Sequence, residues 1–408
     1  MTTQPGGSAS IQPAIPGWMV SFLATACGLM VANIYYAQPL TGPISAEIGL
    51  PAQAAGLIVT MTQIGFGAGL LLIVPLGDLF ENRRLVLSVM ALCVAALLGV
   101  ALSTHPLPFL AAALALGLGS VTVQILVPYA SHLAPQAVRG RVVGNVMSGV
   151  MLGIMLARPV AGFVTEIASW HAVFFGSSVV MVLLAAAIRL VLPRREPSSG
   201  LRYGELLASM GHLAWKTPVL QRRALYHAFL FGAFSLFWTA SPLWLAGPDF
   251  RLSHGGIALF ALAGVSGAIA APITGAIADR GWSRPATGLA MLAAAVAFLL
   301  THLGPPGSAL RLGILVAAAI LLDFGVTANM VVGQRAIFSL GAEFRSRLNG
   351  LYMATFFVGG ALGSALGGWA YARGGWTLAS WAGFALPLAA LLAFCTEFRP
   401  KPASAELA

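Results

Sequence analysis

The chain has 408 residues, of which 58% are Ala, Val, Ile, Leu, Met, Phe, Trp, Tyr or Cys and only 8% are charged. A soluble globule of this length could not cover its surface with so few charges, and a mean hydropathy of +0.88 is the opposite of what intrinsic disorder requires. The formal net charge of +10 is spread in ones and twos between long apolar runs, not clustered as a nucleic-acid surface would need. What remains is a polytopic membrane protein.

A helix needs about twenty apolar residues to cross a hydrocarbon core of roughly 30 Å. In chain order the apolar runs predict an N-terminal tail at 1–17, then spans at 18–40, 53–76, 85–103, 106–131, 142–167 and 171–192. A polar segment at 193–222 with a Ser/Gly-rich start and several arginines separates these from spans at 223–246, 255–278, 286–304, 309–337, 347–371 and 376–396, with a tail at 397–408. The domain reading is therefore two six-helix bundles, 18–192 and 223–396, joined by a linker. No Lys or Arg precedes Trp18, so a cleaved leader is not expected and the first span stays in the mature protein. Cys27, Cys93 and Cys395 each sit inside an apolar run without metal-ligand spacing and read as packing residues.

Charge placement orients these spans. With the N-terminus cytoplasmic, seventeen Lys and Arg fall on the inner side and three (Arg251, Arg311, Arg373) on the outer, while Arg158 and Arg335 lie within spans. A miscounted span would scramble that alternation. Both termini and the linker are thus expected inside. The halves also echo one another: Asp78 and Arg83 recur as Asp279 and Arg284 at an offset of 201, and Arg139-Gly140-Arg141 recurs as Arg345-Ser346-Arg347 at 206. At that second offset Gly153 matches Gly359 and Gly162 matches Gly368. Repeated halves joined by a polar loop are the sequence signature of an alternating-access transporter.

These features converge on a known pattern. Gly275-Ala276-Ile277-Ala278-Asp279-Arg280 after span eight resembles the G-x-x-x-D-R loop of the major facilitator superfamily, and Gly77-Asp78-Leu79-Phe80-Glu81-Asn82-Arg83-Arg84 after span two is a looser version. The opening Ala32-Asn33-Ile34-Tyr35-Tyr36-Ala37-Gln38-Pro39-Leu40 and the run Arg345-Ser346-Arg347-Leu348-Asn349 are similar to its bacterial drug/sugar-efflux branch. The resemblance covers the whole chain. It implies an all-α fold of twelve transmembrane helices in two pseudo-symmetric six-helix bundles, in a bacterial inner membrane. It also implies secondary active, drug:proton antiporter-like export by alternating access, and a central cavity lined by helices one, four, seven and ten.

Carried onto this sequence, the resemblance makes Asp78, Arg83, Arg84, Asp279, Arg280 and Arg284 a conformational latch at the inner face. A carboxylate facing a helix N-terminus gains about 0.3–1 kcal/mol, more if partly buried; the plain alternative is an acidic topology anchor. Asp323 is the one acid placed deep inside a span, about 18 Å beyond Arg311 and near the bilayer midplane. Such a carboxylate is costly unless paired or protonated, which makes it the proton-coupling candidate or else a hydrogen-bonded structural residue. Arg158 lies about 26 Å beyond Arg141, amid Gly149, Gly153, Pro159 and Gly162, a run resembling the Gly/Pro motif of antiporter helix five with Arg where the family has Gly. It either binds substrate, pairs with an acid such as Asp323, or snorkels outward.

The cavity candidates are Asn33, Tyr36 and Gln38 from span one, Gln124 and Tyr129 from span four, Arg158, Trp238, and Asn329 with Asp323 from span ten. His227, Phe231, Phe234 and Trp238 fall on one face of helix seven, and an aromatic cavity with few polar groups suits an amphiphilic substrate. For the Phe residues plain core or lipid packing is the simpler account. A P-loop, HExxH and GxSxG are all absent from the sequence, which argues against ATP as the energy source and against an enzyme. No cofactor, metal or nucleic acid is expected; the partners are a small-molecule substrate and the lipid bilayer, the energy source a proton gradient, and the assembly a monomer. Import or facilitated diffusion without a proton is the alternative reading.

Overall fold

The computed structural model describes residues 16–136, 138–194, 202–341 and 344–398, with the side chain of residue 268 not among them. Among the described residues all regular structure is helical: α1 (Gly17–Ala32), α2 (Thr41–Glu47), α3 (Leu57–Leu72), α4 (Asn82–Leu102), α5 (Pro106–Ser120), α6 (Val123–Leu133), α7 (Arg139–Ile167), α8 (Trp170–Val191), α9 (Tyr203–Lys216), α10 (Pro218–Ala246), α11 (His254–Ala261), α12 (Ser266–Asp279), α13 (Ser283–Leu300), α14 (Ala309–Phe338) and α15 (Arg345–Cys395). Ten stretches are long and apolar enough to cross a membrane, and α1 adds a shorter apolar one. α15 supplies two crossings, because Gly374 and Gly375 break it, the latter at φ 58° and ψ −155°, where a side chain would be strained. The result is the twelve-span, all-α membrane fold in two six-helix bundles.

Local chemistry sets the helix ends. Ser169, Ser253 and Ser308 cap α8, α11 and α14 by accepting from the backbone N–H of Ala172, Gly256 and Arg311, and Glu81 does the same for α4 through Arg83 N. Pro106 and Pro218 open α5 and α10, where the missing N–H is not needed.

Spans one, four and eight are broken where continuous helices were expected. The first stops at Ala32: Asn33 Nδ2 donates back to the Met30 and Leu29 carbonyls at 3.2 and 3.4 Å, and a short 3-10 turn at Gln38–Leu40 follows. The fourth is divided into α5 and α6, and the eighth into α11 and α12 by a 3-10 turn at Leu262–Val265. Such breaks are tolerated at membrane depth where protein surrounds them.

The linker also differs from expectation. It contains α9, and its last five residues, 218–222, already belong to α10. Tyr203 Oη donates to the Leu72 carbonyl at 2.8 Å and Arg347 to Ser209 Oγ, so α9 ties the end of α3 in the first half to the start of α15 in the second. We call this end of the molecule the linker face and the opposite end the far face. Arg195, Arg399, Lys401 and most of both tails lie outside the described residues.

The two halves repeat in space as they do in sequence. α1 crosses α7 where a Cβ on Gly153 would overlap the Gly28 carbonyl; α10 crosses α15 where a Cβ on Gly359 would overlap the Ala228 carbonyl. The second matched pair builds the contact between halves. Gly162 of α7 lies against Ala258 of α11, 2.7 Å from a would-be Cβ to the Ala258 Cβ, and Gly368 of α15 lies against Gly56 just before α3. Small residues permit this close approach. At the far face the halves are therefore in contact on both sides of a pseudo-two-fold axis.

Candidate functional site

A buried polar centre sits where the two halves meet. α7 brings in Arg158, the turn after α1 brings Gln38, α10 brings Trp238 and α14 brings Asp323. Arg158 is 2% exposed and Asp323 4%, which removes the outward-snorkelling reading of the arginine. Arg158 Nε donates to Gln38 Oε1 at 2.6 Å, and Trp238 Nε1 donates to Asp323 Oδ1 at 2.9 Å. One hydrogen bond thus lies wholly in the first half and the other wholly in the second.

Gly264 sits between them. A Cβ there would lie 3.1 Å from Asp323 Oδ2, 3.2 Å from Arg158 Nη1 and 3.5 Å from Trp238 Cζ2. Among the described residues Arg158 and Asp323 form no direct ion pair, so opposite charges from opposite halves face each other across a backbone too bare to separate them further. Aromatic faces surround the guanidinium, with the ring centroids of Trp238, Tyr35 and Phe234 at 4.5, 5.2 and 5.2 Å.

A ladder of rings runs from this centre toward the linker face. Phe234 stacks on Phe231 at 5.2 Å, Phe231 on Phe356 at 3.4 Å, and Phe356 on His227 at 4.3 Å. His227 is buried, stacked also on Tyr352 at 4.8 Å, with Asn329 Nδ2 3.4 Å from its Nδ1. Beside the ladder, Gln63 of α3 donates to Ser235 of α10 at 3.0 Å, and one turn from the far-face Gly56–Gly368 contact the Thr60 and Ser364 hydroxyls meet at 2.8 Å, both further polar contacts between halves. At the linker face a cleft is lined by Val331, Gln334, Arg335, Phe338, Ser339 and Arg345.

Of the cavity candidates, Gln38, Arg158, Trp238 and Asp323 come together, and Asn329 lies two turns further along α14. Asn33 and Tyr36 do not join them. Asn33 accepts from Ser177 Oγ of α8 at 2.6 Å and Tyr36 lies beside the same serine, inside the first half. Tyr129 donates to the Pro193 carbonyl at 2.7 Å, fastening α6 to the start of the linker, and Gln124 is half-buried on α6.

The expected latch residues are spread over several contacts. Arg83 donates to the carbonyls of Arg189 and Leu192 at the end of α8, and Arg84 pairs with Glu81 at 3.5 Å. Asp279 pairs with Arg335 of α14, a residue outside the expected set. Asp78, Arg280 and Arg284 are exposed.

Two acidic contacts at the far face were not read from the sequence. Glu166, at the end of α7, accepts from Gly255 N at 2.9 Å, so the first half caps the N-terminus of α11 in the second. Glu47 accepts from Trp170 Nε1 at 2.6 Å and from His171 Nε2 at 2.8 Å. Those bonds, His171 first and Trp170 second, hold the Glu47 carboxyl below the usual carboxylate range. The available signal was an acid a few residues from a span end opposite a Ser-His or Trp-His start.

Two related six-helix halves that cross the membrane and meet around a buried polar centre define a membrane transporter. The Major Facilitator Superfamily model matches residues 20–315, and the chain belongs to that superfamily. It is 39% identical over 388 residues to the uncharacterized transporter YgaY of Escherichia coli O157:H7, covering 95% of this chain and 97% of that one. Among solved structures the fold is similar to the nucleoside transporter NupG, with a TM-score of 0.72 at 13% identity over 94% of this chain and all of that one. A bacterial homolog of the human lysosomal transporter Spinster, in an inward-facing and unoccupied conformation, gives 0.72 at 15% identity over 97% of this chain and all of that one.

Proposed function

We propose that the chain exports small amphiphilic molecules by alternating access, coupled to proton movement through Asp323. The observation that carries this reading is the placement of Asp323. It is a buried carboxylate of one half, held by Trp238 through one oxygen, whose other oxygen faces Arg158 of the other half across Gly264. Any rocking of the halves alters that electrostatic contact, so the charge state of Asp323 and the conformation are linked. The ring ladder and the surrounding apolar helices suit a substrate with an apolar body. The seventeen-to-three bias supports a bacterial inner-membrane topology with the termini and linker cytoplasmic. The protomer contains both halves of the centre, which supports a monomer. On this reading no cofactor takes part, and the latch residues Asp78, Arg83, Arg84, Asp279, Arg280 and Arg284 at the linker face bias the conformational equilibrium.

A second reading is transport without proton movement, with Asp323 a fixed counter-charge to Arg158; their opposition across Gly264 favours it. Reconstituted vesicles under an imposed pH gradient separate the two. Proton coupling predicts that Asp323→Asn loses gradient-dependent transport but keeps substrate-for-substrate exchange. Full gradient-dependent transport by a folded Asp323→Asn protein overturns the coupling role.

A further inference from the structure

The arginine at the centre has more hydrogen-bonding capacity than the protein uses. Its Nε is taken by Gln38, but Arg158 Nη2 is buried without a partner, and so is Gln38 Nε2 on the amide that receives Arg158. Buried donors are almost always paired, and leaving two on adjacent side chains is costly. The nearest acid does not satisfy them. Asp323 gives one oxygen to Trp238 and stays beyond ion-pair distance of Arg158, although only the width of a glycine separates them.

A structural arginine in an apolar protein would have its fork filled by a carboxylate. Here the fork is instead ringed by the faces of Tyr35, Phe234 and Trp238. Two unpaired donors call for an acceptor with two oxygens, a fixed positive charge calls for an anion, and the rings call for a flat or apolar body.

From this arrangement we infer that Arg158 and Gln38 form the recognition site for an organic anion, a carboxylate carried on an aromatic body. The inference rests on the reading of this centre as the transport site and names the substrate class for it. The carboxylate accepts from Arg158 Nη2 and Gln38 Nε2, and its ring lies among Tyr35, Phe234 and Trp238. An anion on Arg158 also offsets the positive charge that faces Asp323. Anion binding and protonation of the carboxylate then favour one another.

The test is ligand-induced thermal stabilisation of the purified full chain by three compounds of matched ring: benzoate, benzamide and benzylammonium. Benzoate is expected to bind the wild type at least about tenfold more tightly than either of the others. Gln38→Glu supplies an internal carboxylate at the arginine and is expected to lower benzoate affinity about tenfold or more, while the unliganded protein unfolds no earlier than wild type. Absence of benzoate binding, equal binding of benzamide or benzylammonium, or unchanged affinity in a folded Gln38→Glu protein overturns the inference. The wild-type comparison stands even where that variant fails to fold. A protein that carries benzylammonium across vesicles but ignores benzoate refutes the anion site and keeps the transporter reading. One that binds benzoate in this way but moves no solute keeps the site and refutes transport.

Discussion

At the scale of single residues, the charged groups fall into two kinds. Arg158 and Asp323 are buried and face each other between halves, whereas Glu47, Glu166 and Asp279 work at the ends of helices. Glu47 is the clearest of the second kind, because both ring nitrogens of His171 are engaged, one on Glu47 and the other on the Ala101 carbonyl at 2.7 Å. Its carboxyl is held below the usual range, so the bonds contribute stability above the ordinary glutamate titration, near pH 4.3, and lose it as pH falls through the lower folded-state value. The contribution is small, below about 1 kcal/mol, since the Glu47 side chain is 54% exposed. Thermal unfolding of wild type and Glu47→Gln is expected to differ at pH 7 and to converge once pH falls below the folded-state value of the Glu47 carboxyl. A gap that persists unchanged at the acid end would remove the carboxylate from the account.

At the scale of elements, close helix crossings carry the architecture, and glycine decides where they occur. In α7, a Cβ on Gly153 would overlap the backbone of α1, whereas one on Gly176 of α8 meets nothing within 4 Å. Gly153→Ala is expected to lower stability by about 1–3 kcal/mol through overpacking, and Gly176→Ala to leave it unchanged or raise it by up to about 1 kcal/mol. Equal effects of the two in a denaturation assay would contradict the crossing. The span pattern, the two halves and the repeated glycines were legible from hydropathy, charge and offset alone, because lipid makes apolar length a requirement. The breaks inside spans one, four and eight were not. They depend on side chains such as Asn33 folding back on their own backbone, and on neighbouring helices that cover the freed groups. Asn33 itself shows the limit: it was expected within a continuous first span, but the helix stops at Ala32, and the turn that follows sets the side chain toward Ser177 and not toward Arg158. Asp323 and Arg158 stood out because charge at membrane depth is rare. Their partners Gln38 and Trp238 were named among other polar and aromatic residues, and Gly264, whose role is only to be small, carried no signal.

At the scale of the whole molecule, the halves meet at the far face in two symmetry-related places, Gly162 on Ala258 and Gly368 on Gly56, with Glu166 capping α11 across the same seam. α9 joins them at the linker face, and the polar centre lies between these ends. Alternating access requires the far-face seam to open. The most direct test is to lock it with Thr60→Cys and Ser364→Cys in a background lacking Cys27, Cys93 and Cys395, since the native hydroxyls are 2.8 Å apart on opposite halves. The disulfide is expected to form on oxidation and to stop transport, and reduction to restore it. Transport at the wild-type rate with the bond complete would contradict a cycle in which the two halves part at the far face.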